Sequence, residues 1–267
     1  MLKQRVATAI VLVALVLVAL LVENPILWTG LVCIAIFLGF WEWLRFCEID
    51  KEIYQLGSFA LFTLLIVCLL NGFFPIHLMV AITCAVWIML MLFTITNQFD
   101  FFHNLILKLL VGMWILAIAA FLVIELKKLP NGPLWVLCFI AAVAVADIGA
   151  YFVGKRFGKT KLAPSVSPGK TVEGLLGGLA LVVVVFVPIL LYLFETEQAV
   201  LLLFTVMITS LVSVAGDLFE SKLKRHVDLK DSGNMLPGHG GILDRIDGFL
   251  SGAPFFAYGL ILLGLLG

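Results

Sequence analysis

The sequence predicts an all-α, polytopic transmembrane helical bundle of about nine spans with its N-terminus in the cytoplasm. Of its 267 residues, 63% are hydrophobic and only 13% are charged, and the mean hydropathy is +1.18. That composition excludes a water-soluble globule, in which most helices need a polar face. Uncharged runs of 17 or more residues recur from end to end, and about 20 apolar residues suffice to cross a hydrocarbon layer of about 30 Å as a helix. The placement of the basic residues is the third observation. The 17 Lys+Arg and 17 Asp+Glu cancel, so no overall field points to a nucleic-acid partner.

Lys3 and Arg5 precede the uncharged stretch 6–22. No small-x-small cleavage pattern occurs near Leu20-Leu21-Val22-Glu23, so this stretch is expected to be a retained first span. Charged and Pro/Gly clusters then bound 26–44, 53–71, 75–95, 105–125, 133–153, 174–194, 199–219 and 249–266, with tight hairpins at 53–71/75–95 and 174–194/199–219. With the N-terminus inside, 14 of the 17 Lys and Arg fall on the cytoplasmic side, as basic-loop retention requires. Lys127 and Lys128 fall outside, and Lys108, near the cytoplasmic end of the fifth span, is expected to snorkel to the headgroups. Cys33, Cys47, Cys68, Cys84 and Cys138 have no CxxC spacing and indicate neither a disulfide framework nor a zinc site.

Residues 1–140 are apolar spans joined by short connections, expected to form a scaffold with lipid or dimer contacts. Residues 141–267 hold two long polar loops, both cytoplasmic, and are expected to carry the chemistry. Asp147, inside the sixth span, is expensive unless paired or hydrated, and Tyr151 shares its helix face at i+4. Asp217, Glu220 and Ser221 point down one face where the eighth span ends, while Asp244 and Asp247 open the ninth. Carboxylates converging at a polar boundary suit a hard cation such as Mg²⁺, completed by waters and substrate phosphates. Between them lie Lys222, Lys224, Arg225, Lys230, Asp231 and the turn Pro237-Gly238-His239-Gly240-Gly241, whose backbone can approach phosphate oxygens closely. The other loop contains Ser167-Pro168-Gly169-Lys170-Thr171-Val172-Glu173-Gly174. A Walker A reading fails on its glycine spacing and on the absence of an expected strand, which leaves an anion contact through Lys170, Thr171 and the helix start. Gly174, Gly177 and Gly178 are expected to let another span approach closely.

The segment Ser221-x-x-Lys224-Arg225-x4-Lys230-Asp231-x-Gly233-x2-Leu236-Pro237-x-His239-Gly240-Gly241-x2-Asp244-Arg245-x-Asp247 resembles the signature of phosphatidate cytidylyltransferases, also called CDP-diacylglycerol synthases. The stretches Ala146-Asp147-x3-Tyr151-x2-Gly154-Lys155 and Ser167-Pro168-x-Lys170-Thr171-x-Glu173-Gly174 are similar to inner motifs of the same family. The resemblance implies a Mg²⁺-dependent enzyme, with a second cation left open, that condenses CTP with phosphatidic acid to CDP-diacylglycerol and pyrophosphate. It also implies a dimer in the inner (cytoplasmic) membrane with its site facing the cytoplasm.

On matching positions it makes Asp217, Asp244 and Asp247 metal candidates and Lys224, Arg225, His239 and Lys170 phosphate contacts. The remaining substrate-side candidates are Asp147, Tyr151, Ser167, Thr171, Glu173, Ser221, Lys230, Asp231, Gly240, Gly241 and Arg245. The alternatives are a CTP-dependent polyprenol or diacylglycerol kinase and an ion-coupled transporter.

Overall fold

The computed structural model describes residues 2–96, 98–164, 166–236, 238 and 240–267, with the side chains of all but 2–6, 100 and 101. Among the described residues stand nine α-helices: α1 Leu2–Leu21, α2 Pro25–Phe46, α3 Glu52–Leu70, α4 Ile76–Ile95, α5 Leu105–Lys128, α6 Gly132–Phe157, α7 Val172–Leu193, α8 Thr196–His226 and α9 Leu243–Leu262. Each coincides with one expected span, so the chain is the all-α bundle its hydropathy predicts. Helix starts are set by side chains that accept the otherwise unpaired first amides. Asn24 takes Ile26 N at 2.9 Å ahead of Pro25, Asn104 takes Leu107 N at 3.0 Å, and Thr171 takes Gly174 N at 3.1 Å.

Seven helices, α2 to α8, are long and apolar enough to cross a membrane, which makes this an integral membrane protein. The other two depart from the expectation for physical reasons. The described apolar part of α1 is shorter, Ala7–Leu21. α9 opens with Asp244, Arg245 and Asp247 and is enclosed by α2, α4, α5, α6 and α8, so it need not be apolar on every face.

Neighbouring helices run in alternating directions. Trp28 near the start of α2 donates to Val123 O near the end of α5 at 3.2 Å, and Trp43 near the end of α2 donates to Lys108 O near the start of α5 at 3.1 Å. Lys127 reaches Ala19 O and Val22 O at 2.6 and 3.1 Å, placing the ends of α1 and α5 together. Lys108 does not snorkel. It is 4% exposed and donates to Phe46 O at 2.8 Å, because the end of α2 leaves a carbonyl without a helical partner within its reach.

The first polar loop contains structure that its sequence did not suggest. β1, Lys161–Ala163, and β2, Ser167–Thr171, pair as an antiparallel hairpin directly ahead of α7. Strands of three and five residues are too short to show an alternating pattern. The hairpin is tied to its helix by Val172 N donating to Thr160 O at 2.9 Å. Glu173 adds a second tie by accepting from Lys159 N and Thr160 N at 3.0 and 3.1 Å.

α6 and α7 touch along the small residues that the sequence singled out. A Cβ on Gly149 would stand 2.9 Å from Gly177 O and from Gly178 Cα, and one on Gly178 would stand 2.6 Å from Ala146 O. A side chain at Gly177 would overlap Val153. This contact sets the distance between Asp147 on α6 and Lys170 just ahead of α7. Gly177→Leu should therefore destabilise the protein by about 1–3 kcal/mol through overpacking, read as a lower melting temperature in detergent against wild type.

Candidate active site

α6, α8, α9 and Asp231 meet around a cavity of about 340 Å³. Asp147 enters from α6, Asp217 and Lys224 from α8, Asp244, Arg245 and Asp247 from the first turns of α9, and Asp231 from the segment between them. Val143, Gly248 and Phe249 complete the lining. Five carboxylates and two cationic side chains therefore line one polar cavity, and Lys170 adds a third cation against Asp217.

Each acid is compensated differently. Asp217 Oδ2 lies 2.6 Å from Lys170 Nζ, which extends from β2 and also donates to Val214 O at 3.3 Å. Ser221 Oγ, one turn along α8, donates to Asp217 Oδ1 at 3.2 Å. Lys224 Nζ bridges two helices, lying 2.6 Å from Asp244 Oδ1 and 3.3 Å from Glu220 Oε2. The other Glu220 oxygen, Oε1, is buried without a hydrogen-bond partner among the described residues. Asp247 Oδ1 accepts from Gly248 N at 2.7 Å.

Asp244 is the most fully engaged. Its Oδ2 accepts from Ser232 N at 3.0 Å, Ser232 Oγ at 3.0 Å and Gly241 N at 2.8 Å. Gly240 makes room for this, since a Cβ there would stand 2.6 Å from Asp244 Oδ2, and its φ of +81° favours glycine. Among the described residues no group of three or more His, Cys, Asp or Glu forms a ready metal-binding array. Ammonium groups stand against Asp217 and Asp244 instead.

The remaining expected residues divide between the cavity and its surroundings. Thr171 caps α7 and Glu173 clamps the hairpin, so both shape the segment that carries Lys170. Ser167 pairs with Ala163 in the hairpin. Tyr151 is 60% exposed, with Lys155 Nζ 5.6 Å from its ring centroid, and does not line the cavity. Arg225 is exposed and donates to Leu229 O at 3.3 Å, and Lys230 is exposed. His239 lies outside the described residues. The Cys47 thiol, in the α2–α3 connection, is pushed up to about 12 by burial, so it offers no thiolate near neutral pH.

Three residues of the site were missed in the sequence. Glu42 on α2 accepts from Ile242 N and Leu243 N at 3.0 and 2.8 Å, and from Ser232 Oγ at 2.9 Å. Arg45 Nη1 donates to Ser232 O at 2.8 Å. The available signal was Glu42 itself, an acid within an apolar run of the first half, which needed a partner from elsewhere.

The model of the cytidylyltransferase family matches residues 3–263, and the chain belongs to that family. A protein of Pseudomonas aeruginosa named phosphatidate cytidylyltransferase is 36% identical over 260 residues, covering 96% of each chain. One of the same name from Haemophilus influenzae is 36% identical over 282 residues, covering 97% of this chain and 98% of the relative. A third, from Bacillus subtilis, is 46% identical over 144 residues, covering 52% of each.

Lys224 is the cation on which two enclosed acids rely, with side chains of Lys224, Glu220 and Asp244 exposed by 11%, 6% and 8%. Lys224→Met should lower unfolding stability by about 3 kcal/mol, the scale for removing one partner of a buried pair. Glu220→Gln in the same chain should restore part of that loss. Thermal or chemical denaturation in detergent measures both.

Proposed function

We propose that this protein transfers the cytidylyl group of CTP to phosphatidic acid, giving CDP-diacylglycerol and pyrophosphate. The observation that carries the reading is the charged cavity, held by the motif residues themselves and expected at a membrane boundary, in a chain that matches phosphatidate cytidylyltransferases over nearly its whole length. One substrate is soluble and the other is anchored in lipid, so their phosphates can meet only at such a boundary.

The lining bears on the cofactor. Five carboxylates against Lys224, Arg245 and Lys170 leave an excess of acids, which favours a cation entering with the triphosphate. The donors are hard oxygens of the kind Mg²⁺ prefers. Asp217 and Asp247 would hold Mg²⁺, joined by Asp244 through Oδ1 where Lys224 yields it. Bound there, Mg²⁺ would neutralise charge on the triphosphate and the departing pyrophosphate.

In the reaction an oxygen of the lipid phosphate attacks the α-phosphorus of CTP in line. A new phosphoanhydride forms, the α–β bond breaks, and its electron pair leaves with pyrophosphate. A phosphate monoester, with a second pKa of about 6, is largely ionised near neutral pH, so no dedicated general base is required. Lys170 is placed to turn from Asp217 to a phosphate oxygen, while Lys224 and Arg245 supply positive charge at the cavity wall.

The same reading puts the enzyme in the inner membrane as a homodimer with its cavity facing the cytoplasm, the side that collects 14 of the 17 Lys and Arg. Asp217→Asn should reduce pyrophosphate release by more than about 100-fold while membrane insertion is retained. Chelating divalent metal should stop turnover, and Mg²⁺ should restore it. With labelled CTP, α-phosphorus should enter the lipid; entry of γ-phosphorus instead overturns the reading in favour of a lipid kinase.

A further inference from the structure

We propose that Glu42, on a helix from the other half of the chain, is a positioning residue that fixes the carboxylate of Asp244 through Ser232. The proposal rests on the reading of the cavity as the CTP and metal site. Glu42 is 1% exposed, and both of its oxygens are occupied by the segment that leads into α9. Oε1 accepts from Ile242 N at 3.0 Å; Oε2 accepts from Leu243 N at 2.8 Å and from Ser232 Oγ at 2.9 Å. The first amides of α9 are thus met by an anion delivered from α2 rather than by a local cap.

Ser232 joins the two acids. Its Oγ lies within hydrogen-bond distance of Glu42 Oε2 and of Asp244 Oδ2, at 2.9 and 3.0 Å. A hydroxyl has one proton to donate, so the two carboxylates share it. The backbone N–H groups of Ser232 and Gly241 complete the grip on Asp244 Oδ2. Glu42 is therefore the post on which Ser232, Ile242 and Leu243 are gathered, and with Asp244 Oδ2 engaged there it is Oδ1 that meets Lys224. Gly233 and Gly241 pack directly on the Glu42 carboxylate, where a Cβ at either position would overlap it. Arg45, nearly one turn along α2, holds Ser232 O at 2.8 Å, so α2 grips the segment at both the carbonyl and the hydroxyl.

The three donors around Glu42 require acceptors at both oxygen positions. Glutamine would offer one acceptor and set an NH₂ group against an N–H or O–H donor. Aspartate would keep two acceptors at shorter reach.

The experiment uses full-length wild type, Glu42→Gln, Glu42→Asp, Ser232→Ala and the Glu42→Gln/Ser232→Ala double variant, purified in detergent. Glu125→Gln, whose partner Lys128 lies on the opposite rim of the bundle, is the control. The first readout is the Mg²⁺ concentration giving half of the CTP-dependent rise in melting temperature; the second is kcat and the KM for CTP from pyrophosphate release. Glu42→Gln and Ser232→Ala should each raise the half-saturating Mg²⁺ by about 10-fold or more, the scale for residues that orient a metal ligand. The double variant should shift no further than the worse single variant, Glu42→Asp should recover part of the loss, and Glu125→Gln should match wild type.

Variants that melt lower but keep the wild-type Mg²⁺ response would overturn the proposal, as would additive effects in the double variant. If Glu42→Gln does not insert, Ser232→Ala decides alone, since it removes a single hydroxyl. A wild type that responds to Mg²⁺ and CTP without releasing pyrophosphate removes the proposed activity, while the thermal readout still decides the role of Glu42. A wild type with no Mg²⁺ response overturns that role too.

Discussion

Enclosed carboxylates must be met by cations or N–H groups, and this requirement organises the catalytic end of the protein. An ionised acid in a low-dielectric setting costs several kcal/mol when uncompensated. Asp217, Asp244, Glu220 and Glu42 are each answered from a different chain segment: β2 through Lys170, the 232–241 segment through its amides, α8 through Lys224, and the start of α9 through its first N–H groups. Compensating one acid thereby ties together two elements. The hairpin is held to α8, α8 to α9, and α9 to α2 by the charges that give the site its chemistry.

Helix length bears on how charged residues are accommodated in a chain of apolar spans. At 1.5 Å per residue the 31 residues of α8 extend about 46 Å, well beyond a hydrocarbon layer of about 30 Å. The excess carries Asp217, Ser221 and Lys224 to the polar side while the apolar part stays in the span. α9 begins within the same polar layer, and its early charges are tolerated because other helices enclose it. Val143 and Phe249 line the cavity beside the charged groups. A polar boundary suits a reaction between an anchored phosphate and a soluble triphosphate.

Much of this was legible in the sequence. Apolar run lengths and the Lys/Arg distribution located every helix, because crossing a bilayer imposes a length and a polarity that composition cannot disguise. The cluster of Asp217, Lys224, Asp244 and Asp247 could be read from residues that are expensive where they stand. The hairpin at 161–171 could not, since strands this short carry no periodic signal and are stabilised by Glu173 and Thr160 at a distance in sequence. Lys108 was misread for a related reason: its acceptor, Phe46 O, is 62 residues away and exists only once α2 and α5 have packed. Glu42 stood out as an isolated acid, yet its donors lie 190 to 201 residues further on, beyond the reach of any local pattern.

The contrast between Asp217 and Asp244 shows how the site combines rigidity with exchange. Asp244 Oδ2 is gripped by a serine hydroxyl and by two backbone amides, and the amides cannot leave without a change in the backbone that bears them. Asp217 is held only by side chains, the Lys170 ammonium and the Ser221 hydroxyl, and its own side chain is 38% exposed. A long lysine stem can give up such a partner to a phosphate by rotating single bonds, at the modest energetic scale of a partly exposed ion pair. One carboxylate therefore fixes the frame of the cavity, and the other can change partners as charge enters. A polyanion arriving with its cation needs both properties, because its phosphates must displace existing ion pairs without disturbing the geometry in which they react.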